Sequence, residues 1–137
     1  MIVDASVALK WLVLEDDTAQ ALDLLAATTL AAPIFLQIEV GNALWKKHRR
    51  GEFGADFDPT SFIERIGSFV EMIDETPMIP RAAQIAVALG HPIYDCVYLA
   101  MAETLQRPLI TADKRFLAAL AGTDLAPLVH PLVQNPV

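Results

Sequence analysis

Four carboxylates in this chain stand in apolar surroundings. Asp4 follows Met1-Ile2-Val3, and Glu39 interrupts Phe35-Leu36-Gln37-Ile38-Glu39-Val40. Asp95 lies within Ile93-Tyr94-Asp95-Cys96-Val97-Tyr98-Leu99-Ala100, and Asp113 follows Pro108-Leu109-Ile110-Thr111-Ala112. A carboxylate is seldom buried unless something pairs with it. No arginine follows Glu39 or Asp95 three or four residues on, where a helical ion pair would form. Four such acids together fit a shared cation. Ser6, Asn42 and Thr111 add hydroxyl and amide groups, and no cysteine or histidine stands at ligand spacing. An all-oxygen set suits Mg²⁺ or Mn²⁺ rather than zinc. Such an ion activates water and offsets phosphoryl charge, so phosphodiester hydrolysis is the chemistry expected.

The elements that must position these acids are short strands alternating with helices. Met1–Asp4 reads as a buried strand, after which Asp4 or Ser6 can cap a helix through Val7–Leu12. Asp16-Asp17 opens a helix through Ala19–Ala27, acidic where the helix dipole favours it. Leu30–Ala32 is a weak strand candidate. Pro33 suits the first turn of a long helix that Gly51 stops near Arg50. Asp58-Pro59-Thr60 starts a helix with Phe62, Ile66, Phe69, Val70 and Ile73 at helical spacing. Met78-Ile79 is a second strand candidate, followed by a helix from Pro80 to Gly90 and another, bearing Asp95, from Pro92. Leu109–Thr111 reads as a strand, Lys114–Ala121 as a short helix and Leu128-Val129 as an edge strand. This alternation implies an α/β fold with a short parallel sheet covered by helices on both faces. Asp4 and Asp113 then fall at the carboxyl ends of strands, where open parallel sheets bind ligands. Glu39 and Asp95 fall in the first or second turn of helices that start at that edge. All four can converge at one mouth, although Asp4 and Asp113 equally suit helix caps.

Composition sets the frame. The 137 residues are 54% hydrophobic and 20% charged, which excludes disorder and fits one domain with a sizeable core. The polar stretch Gly51–Pro59 reads as a loop within it. The lone Cys96 forms no internal disulfide, in keeping with a reducing compartment. No basic segment precedes an apolar core at the start of the chain, as a secretion signal would require. The uncharged stretch Leu24–Ile38 contains Pro33 and falls short of the ~20 apolar residues of a membrane helix. A soluble, cytoplasmic protein is expected. The net charge of −7 opposes nucleic-acid binding unless cations intervene. Lys46, Lys47, Arg49 and Arg50 crowd around His48, however. They serve equally as a dipole-favoured or solvated helix end or as a phosphate-contacting rim beside the acids.

The segments Ile2-Val3-Asp4-Ala5-Ser6, Glu39-Val40-Gly41-Asn42-Ala43-Leu44, Tyr94–Ala100 and Thr111-Ala112-Asp113-Lys114-Arg115-Phe116 occur in this order along nearly the whole chain. In that arrangement the chain resembles the PIN-domain ribonucleases, most of all the VapC toxins of toxin–antitoxin pairs. The resemblance implies a PIN fold and a Mg²⁺- or Mn²⁺-dependent endoribonuclease. It carries catalysis and metal binding onto Asp4, Glu39, Asp95 and Asp113, with Ser6, Asn42 and Thr111 as supporting polar residues. It also implies a homodimer held inactive by an antitoxin protein. Where some relatives carry a further acid after the last motif, this chain has Lys114.

Two other functions compete. A catalytically silent PIN-like module that binds RNA or protein need not keep four mutually repelling acids. A phosphatase with an aspartyl nucleophile usually has a second acid two residues later, where Asp4 is followed by Ala5-Ser6. Trp11, Trp45, Tyr94 and Tyr98 read as core or interface residues. No histidine is assigned a role: His48 ends a basic helix, and His91 and His130, each followed by proline, read as loop residues.

Overall fold

A computed structural model describes residues 1–132 of the chain. Five parallel strands form one sheet in the order β3-β2-β1-β4-β5. They are β1 (Ile2–Val3), β2 (Ala31–Pro33), β3 (Glu71–Ile73), β4 (Leu109–Thr111) and β5 (Val129–Pro131). The three central strands are buried along their whole length, whereas β3 and β5 are partly open, as edge strands are. Small and branched apolar residues fill the centre because helices cover both faces of a parallel sheet. The expected α/β sandwich is the one observed.

Among the described residues seven α-helices connect the strands: α1 (Ala5–Leu12), α2 (Thr18–Ala27), α3 (Leu36–Arg49), α4 (Thr60–Phe69), α5 (Ile79–Leu89), α6 (Ile93–Leu105) and α7 (Lys114–Leu120). α1 buries Val7, Ala8 and Trp11, and the Trp11 indole donates to the Ala21 carbonyl at 2.8 Å, fastening α2 beside it. α6 is buried continuously from Cys96 to Ala102, which explains why its sequence is apolar all round. Arg81 of α5 meets Glu103 of α6 at 2.9 Å on the outer side of that pair. Among the described residues no single helix is long and apolar enough to cross a membrane.

Two local expectations are corrected. Met78-Ile79 is not a strand: Met78 ends a 3₁₀ turn, Thr76–Met78, and Ile79 begins α5. Pro77 and Pro80 lack the amide hydrogens that a ladder needs, and Asp74 accepts from the Thr76 amide at 3.0 Å to form a turn. The strand is Glu71–Ile73 instead, so α4 stops at Phe69 although apolar residues continue at helical spacing through Ile73. Pro33 ends β2 rather than opening the long helix, which begins at Leu36. The Ile34 amide, one residue on, donates to the Ile73 carbonyl at 3.1 Å and closes the β2–β3 pairing.

Gly90 ends α5 at φ 63°, and a Cβ there would meet no atom within 4 Å. The cost of a side chain is therefore backbone strain alone. Gly90→Ala is expected to destabilise the protein by about 1 kcal/mol, read as a lower urea midpoint at unchanged slope.

Candidate active site

Parallel pairing sets Ile2 against Leu109 and Val3 against Ile110. One residue further, the same register brings Asp4 alongside Thr111. Their side chains meet: the Thr111 hydroxyl donates to Asp4 Oδ2 through a short hydrogen bond. Ser6 Oγ donates to Asp4 Oδ1 at 2.5 Å, and the Val7 amide reaches the same oxygen at 3.2 Å, capping α1. The two hydroxyls are themselves held from β4, since the Ala112 amide donates to Ser6 Oγ at 2.9 Å and the Asp113 amide to Thr111 Oγ1 at 3.1 Å. Asp4 is 5% exposed. Burial pushes its carboxyl up to about 6, against the pull of the Ser6 and Thr111 hydrogen bonds and with a push from Asp95. The strand order changes direction between β1 and β4, so this is the crevice where doubly wound sheets bind ligands.

Glu39 enters from the first turn of α3. Its Oε1 is buried without a hydrogen-bond partner, as is the Tyr98 hydroxyl of α6. The phenol is nonetheless near enough to lower the Glu39 pKa, while burial and the charges of Asp95 and Asp4 raise it, to about 7 on balance. Burial and Glu39 in turn drive the Tyr98 proton loss far up. Asp95, in the first turn of α6, takes His91 Nε2 at 2.6 Å on Oδ2. Asp4, Glu39 and Asp95 thus lie within electrostatic reach of one another, and among the described residues no lysine or arginine is paired with them.

Asp113 stands apart. Its Oδ1 accepts the Arg115 and Phe116 amides at 2.9 and 3.1 Å, capping α7, and it is not among the charges raising Asp4 and Glu39. Asn42 is exposed one turn beyond Glu39. Of the basic run, Lys47 is engaged by Glu15 and Glu52, each at 3.4 Å. Lys46, Arg49 and Arg50 line an open hollow of about 600 Å³ with Trp45, over whose ring Arg49 lies at 5.5 Å. Tyr98 and His91 are the residues that sequence reasoning passed over. Each is one helical turn from Asp95, Tyr98 after it and His91 before it.

The donor set is oxygen-only and includes an orphaned buried carboxylate oxygen, which fits a hard divalent cation. Among the described residues no three carboxylate, imidazole or thiol groups are already drawn together tightly enough to hold one. The fit lies in donor chemistry and placement, not in a closed cage.

A parallel three-layer fold with acids gathered at the switch between β1 and β4 defines a class of α/β proteins whose sites are built from carboxylates. The family model described as the PIN domain matches residues 1–121, and the chain belongs to that family. It is 29% identical to Ribonuclease VapC3 of Pyrobaculum aerophilum, over 84% of this chain and 90% of that one. It is 33% identical to Ribonuclease VapC1 of Mycobacterium tuberculosis, over 64% and 65%. It is also 32% identical to Exonuclease VapC9 of Pyrobaculum aerophilum, over 61% and 62%. A crystal structure of a Pyrobaculum aerophilum protein superposes with a TM-score of 0.64 at 25% identity, covering 96% of this chain and 82% of that one. A toxin–antitoxin complex from Klebsiella pneumoniae shares the fold, with a TM-score of 0.66 at 18% identity and 98% of both chains covered.

The raised carboxyls predict a pH signature. A group whose folded pKa exceeds its unfolded value stabilises below the unfolded value, and that contribution is lost as pH rises through the folded one. For Glu39 the window runs from 4.5 to about 7. In chelator, Glu39→Gln should therefore gain stability relative to wild type as pH rises from about 4.5 to about 7, with no further gain above. Paired thermal melts across that range check it. A difference independent of pH would mean that Glu39 is not held under strain.

Proposed function

We propose that the protein is a Mg²⁺- or Mn²⁺-dependent endoribonuclease and the toxin of a toxin–antitoxin pair. The single observation that carries the reading is the group of Asp4, Glu39 and Asp95: Asp4 is buried and the other two half-buried, their charges repel one another, and among the described residues no lysine or arginine pairs with them. A fold has no reason of stability to keep such a group, and a cation-dependent reaction has one. Membership of the PIN family and likeness to proteins named as ribonucleases support the substrate class.

Asp4, Glu39, Asp95 and, through its remaining oxygen, Asp113 would hold the ion. Bound there, a divalent cation supplies a polarised water and offsets phosphate charge. Ser6 and Thr111 fix the Asp4 carboxylate, and the Tyr98 hydroxyl, unpartnered and close to Glu39, offers that carboxylate a donor. Lys46, Arg49 and Arg50 contact the flanking strand. Glu39 and Lys46 are seven residues apart on α3, hence about 10 Å along the axis, a span that neighbouring phosphates bridge. Lys47, spent on Glu15 and Glu52, contributes less. Exposed Ile34, Ile38 and Tyr94 lie at the starts of α3 and α6 and give an antitoxin or a second copy an apolar surface near the site.

Asp4→Asn, Glu39→Gln, Asp95→Asn and Asp113→Asn are each expected to abolish cleavage of labelled RNA in Mn²⁺ while the circular dichroism spectrum stays native. Asn at 113 retains the α7 cap, so its loss of activity would report the charge. Two of the four cutting at wild-type rate would refute the site. Internal cleavage of circular RNA distinguishes an endonuclease from an exonuclease.

Replacing Lys46, Arg49 and Arg50 by Gln should weaken RNA binding at any sequence and flatten its salt dependence, with the cut position unchanged. Isotherms over a salt series in an Asp4→Asn background measure this. An unaltered slope would return the hollow at Trp45 to a solvated helix end.

A further inference from the structure

We infer that His91 is the positioning residue for Asp95, holding one carboxylate oxygen so that the other is presented to the acidic cluster. This rests on the metal-dependent reading above and names the group that completes its site. His91 Nε2 lies 2.6 Å from Asp95 Oδ2, one helical turn before it. No lysine or arginine pairs with Asp95 among the described residues, so the imidazole is its one cationic or N–H partner there.

The backbone on either side of His91 is fixed. Gly90 closes α5 in the left-handed region, and Pro92 caps α6. The ring is fixed as well, since it packs against Phe116 at 5.3 Å between centroids. Phe116 is itself 1% exposed, and its amide is one of the two that Asp113 caps. The imidazole therefore joins the start of α6, where Asp95 sits, to the start of α7, where Asp113 sits. Both helices begin at the carboxyl edge of the sheet.

The physical need for such a partner is plain. Asp95 raises the pKa of Asp4 and of Glu39, which means that it is repelled by both. An aspartate so repelled, with a freely rotating side chain, would swing toward solvent. A donor on Oδ2 sets the plane of the carboxylate and leaves Oδ1 for an incoming cation. Groups that orient metal-binding carboxylates typically change metal affinity by ~10–100-fold when removed.

The test uses the full chain and Mn²⁺ alone, titrated by calorimetry or by the electron paramagnetic resonance signal of free Mn²⁺. His91→Phe keeps an aromatic ring against Phe116 but removes the donor, and should weaken Mn²⁺ binding by about tenfold or more. His91→Gln keeps a donor and should recover most of the affinity. Melting curves in chelator report whether either variant is merely unfolded. Equal Mn²⁺ affinity in wild type and His91→Phe overturns the inference, as does equal loss in Phe and Gln variants tracking a lower melting temperature. A wild-type chain that binds no Mn²⁺ overturns it too. RNA cleavage by the wild type is scored separately: a chain that binds Mn²⁺ and leaves RNA intact refutes the nuclease reading, and the variants' affinities still decide the role of His91.

Discussion

The structure turns on keeping a negative charge at Asp4 where water is almost wholly excluded. Among the described residues no basic side chain reaches it, so hydrogen bonds must replace hydration. They come from Ser6, Thr111 and the Val7 amide, that is, from the first turn of α1 and from β4. These donors do not cancel the burial penalty, as the elevated pKa shows. The β1–β4 register is constrained in consequence. A slip of one residue would turn Thr111 to the opposite face of the sheet and leave Asp4 Oδ2 without its donor. Two strands of two and three residues could pair in several ways on hydrophobicity alone. The polar cluster beyond their ends selects one.

The charges elsewhere are arranged so that none of the described cations quenches this site. Lys10 is mostly buried and is taken by Glu15 at 2.9 Å, and Lys47 is shared by Glu15 and Glu52. This chain of ion pairs ties the end of α1 to the last turn of α3. Arg81 is held by Glu103 on the outside of α5 and α6. With ten basic residues against seventeen acids, these pairings occupy several of the few cations available. Lys46 and Arg49, with Arg50 beside its partner Glu52 at 3.4 Å, lie at the open end of α3, where the helix dipole favours them and a polyanion can reach them.

Much of this was legible in the sequence because burial of a carboxylate is a strong signal. Asp4, Glu39, Asp95 and Asp113 stood out as acids inside apolar runs, and the fold placed each at the expected edge of the sheet. β3 was misread for a physical reason: Glu71-Met72-Ile73 is an edge strand, only half covered, and its apolar residues continue the phase of α4. Its identity is set by pairing with Ala31–Pro33, a long-range fact that local periodicity does not carry. The role of His91 is hidden in the sequence because it stands four residues before Asp95, ahead of α6, and because a histidine followed by proline looks like a loop residue. Tyr98 was assigned to the core, correctly for its ring, but its hydroxyl faces Glu39.

The choice between helix cap and metal ligand at Asp4 and Asp113 dissolves once their oxygens are followed separately. Asp113 spends Oδ1 on two amides of α7 and makes no hydrogen bond through Oδ2 among the described residues. Asp95 spends Oδ2 on His91, and Glu39 keeps Oε1 unspent. Asp4 gives Oδ1 to Ser6 and Val7, but Oδ2 to Thr111 alone. An ionised carboxylate oxygen accepts about two hydrogen bonds, so Asp4 Oδ2 retains one lone-pair direction. Asp4, Asp95 and Asp113 therefore use part of their acceptor capacity to fix themselves to the scaffold and leave part unsatisfied, while Glu39 keeps a buried oxygen with no hydrogen bond at all. That is costly in a folded core, where unmet acceptors are rare. It is what a site needs if its occupant is to be recognised by oxygen atoms already aimed and held, and the caps supply the aim.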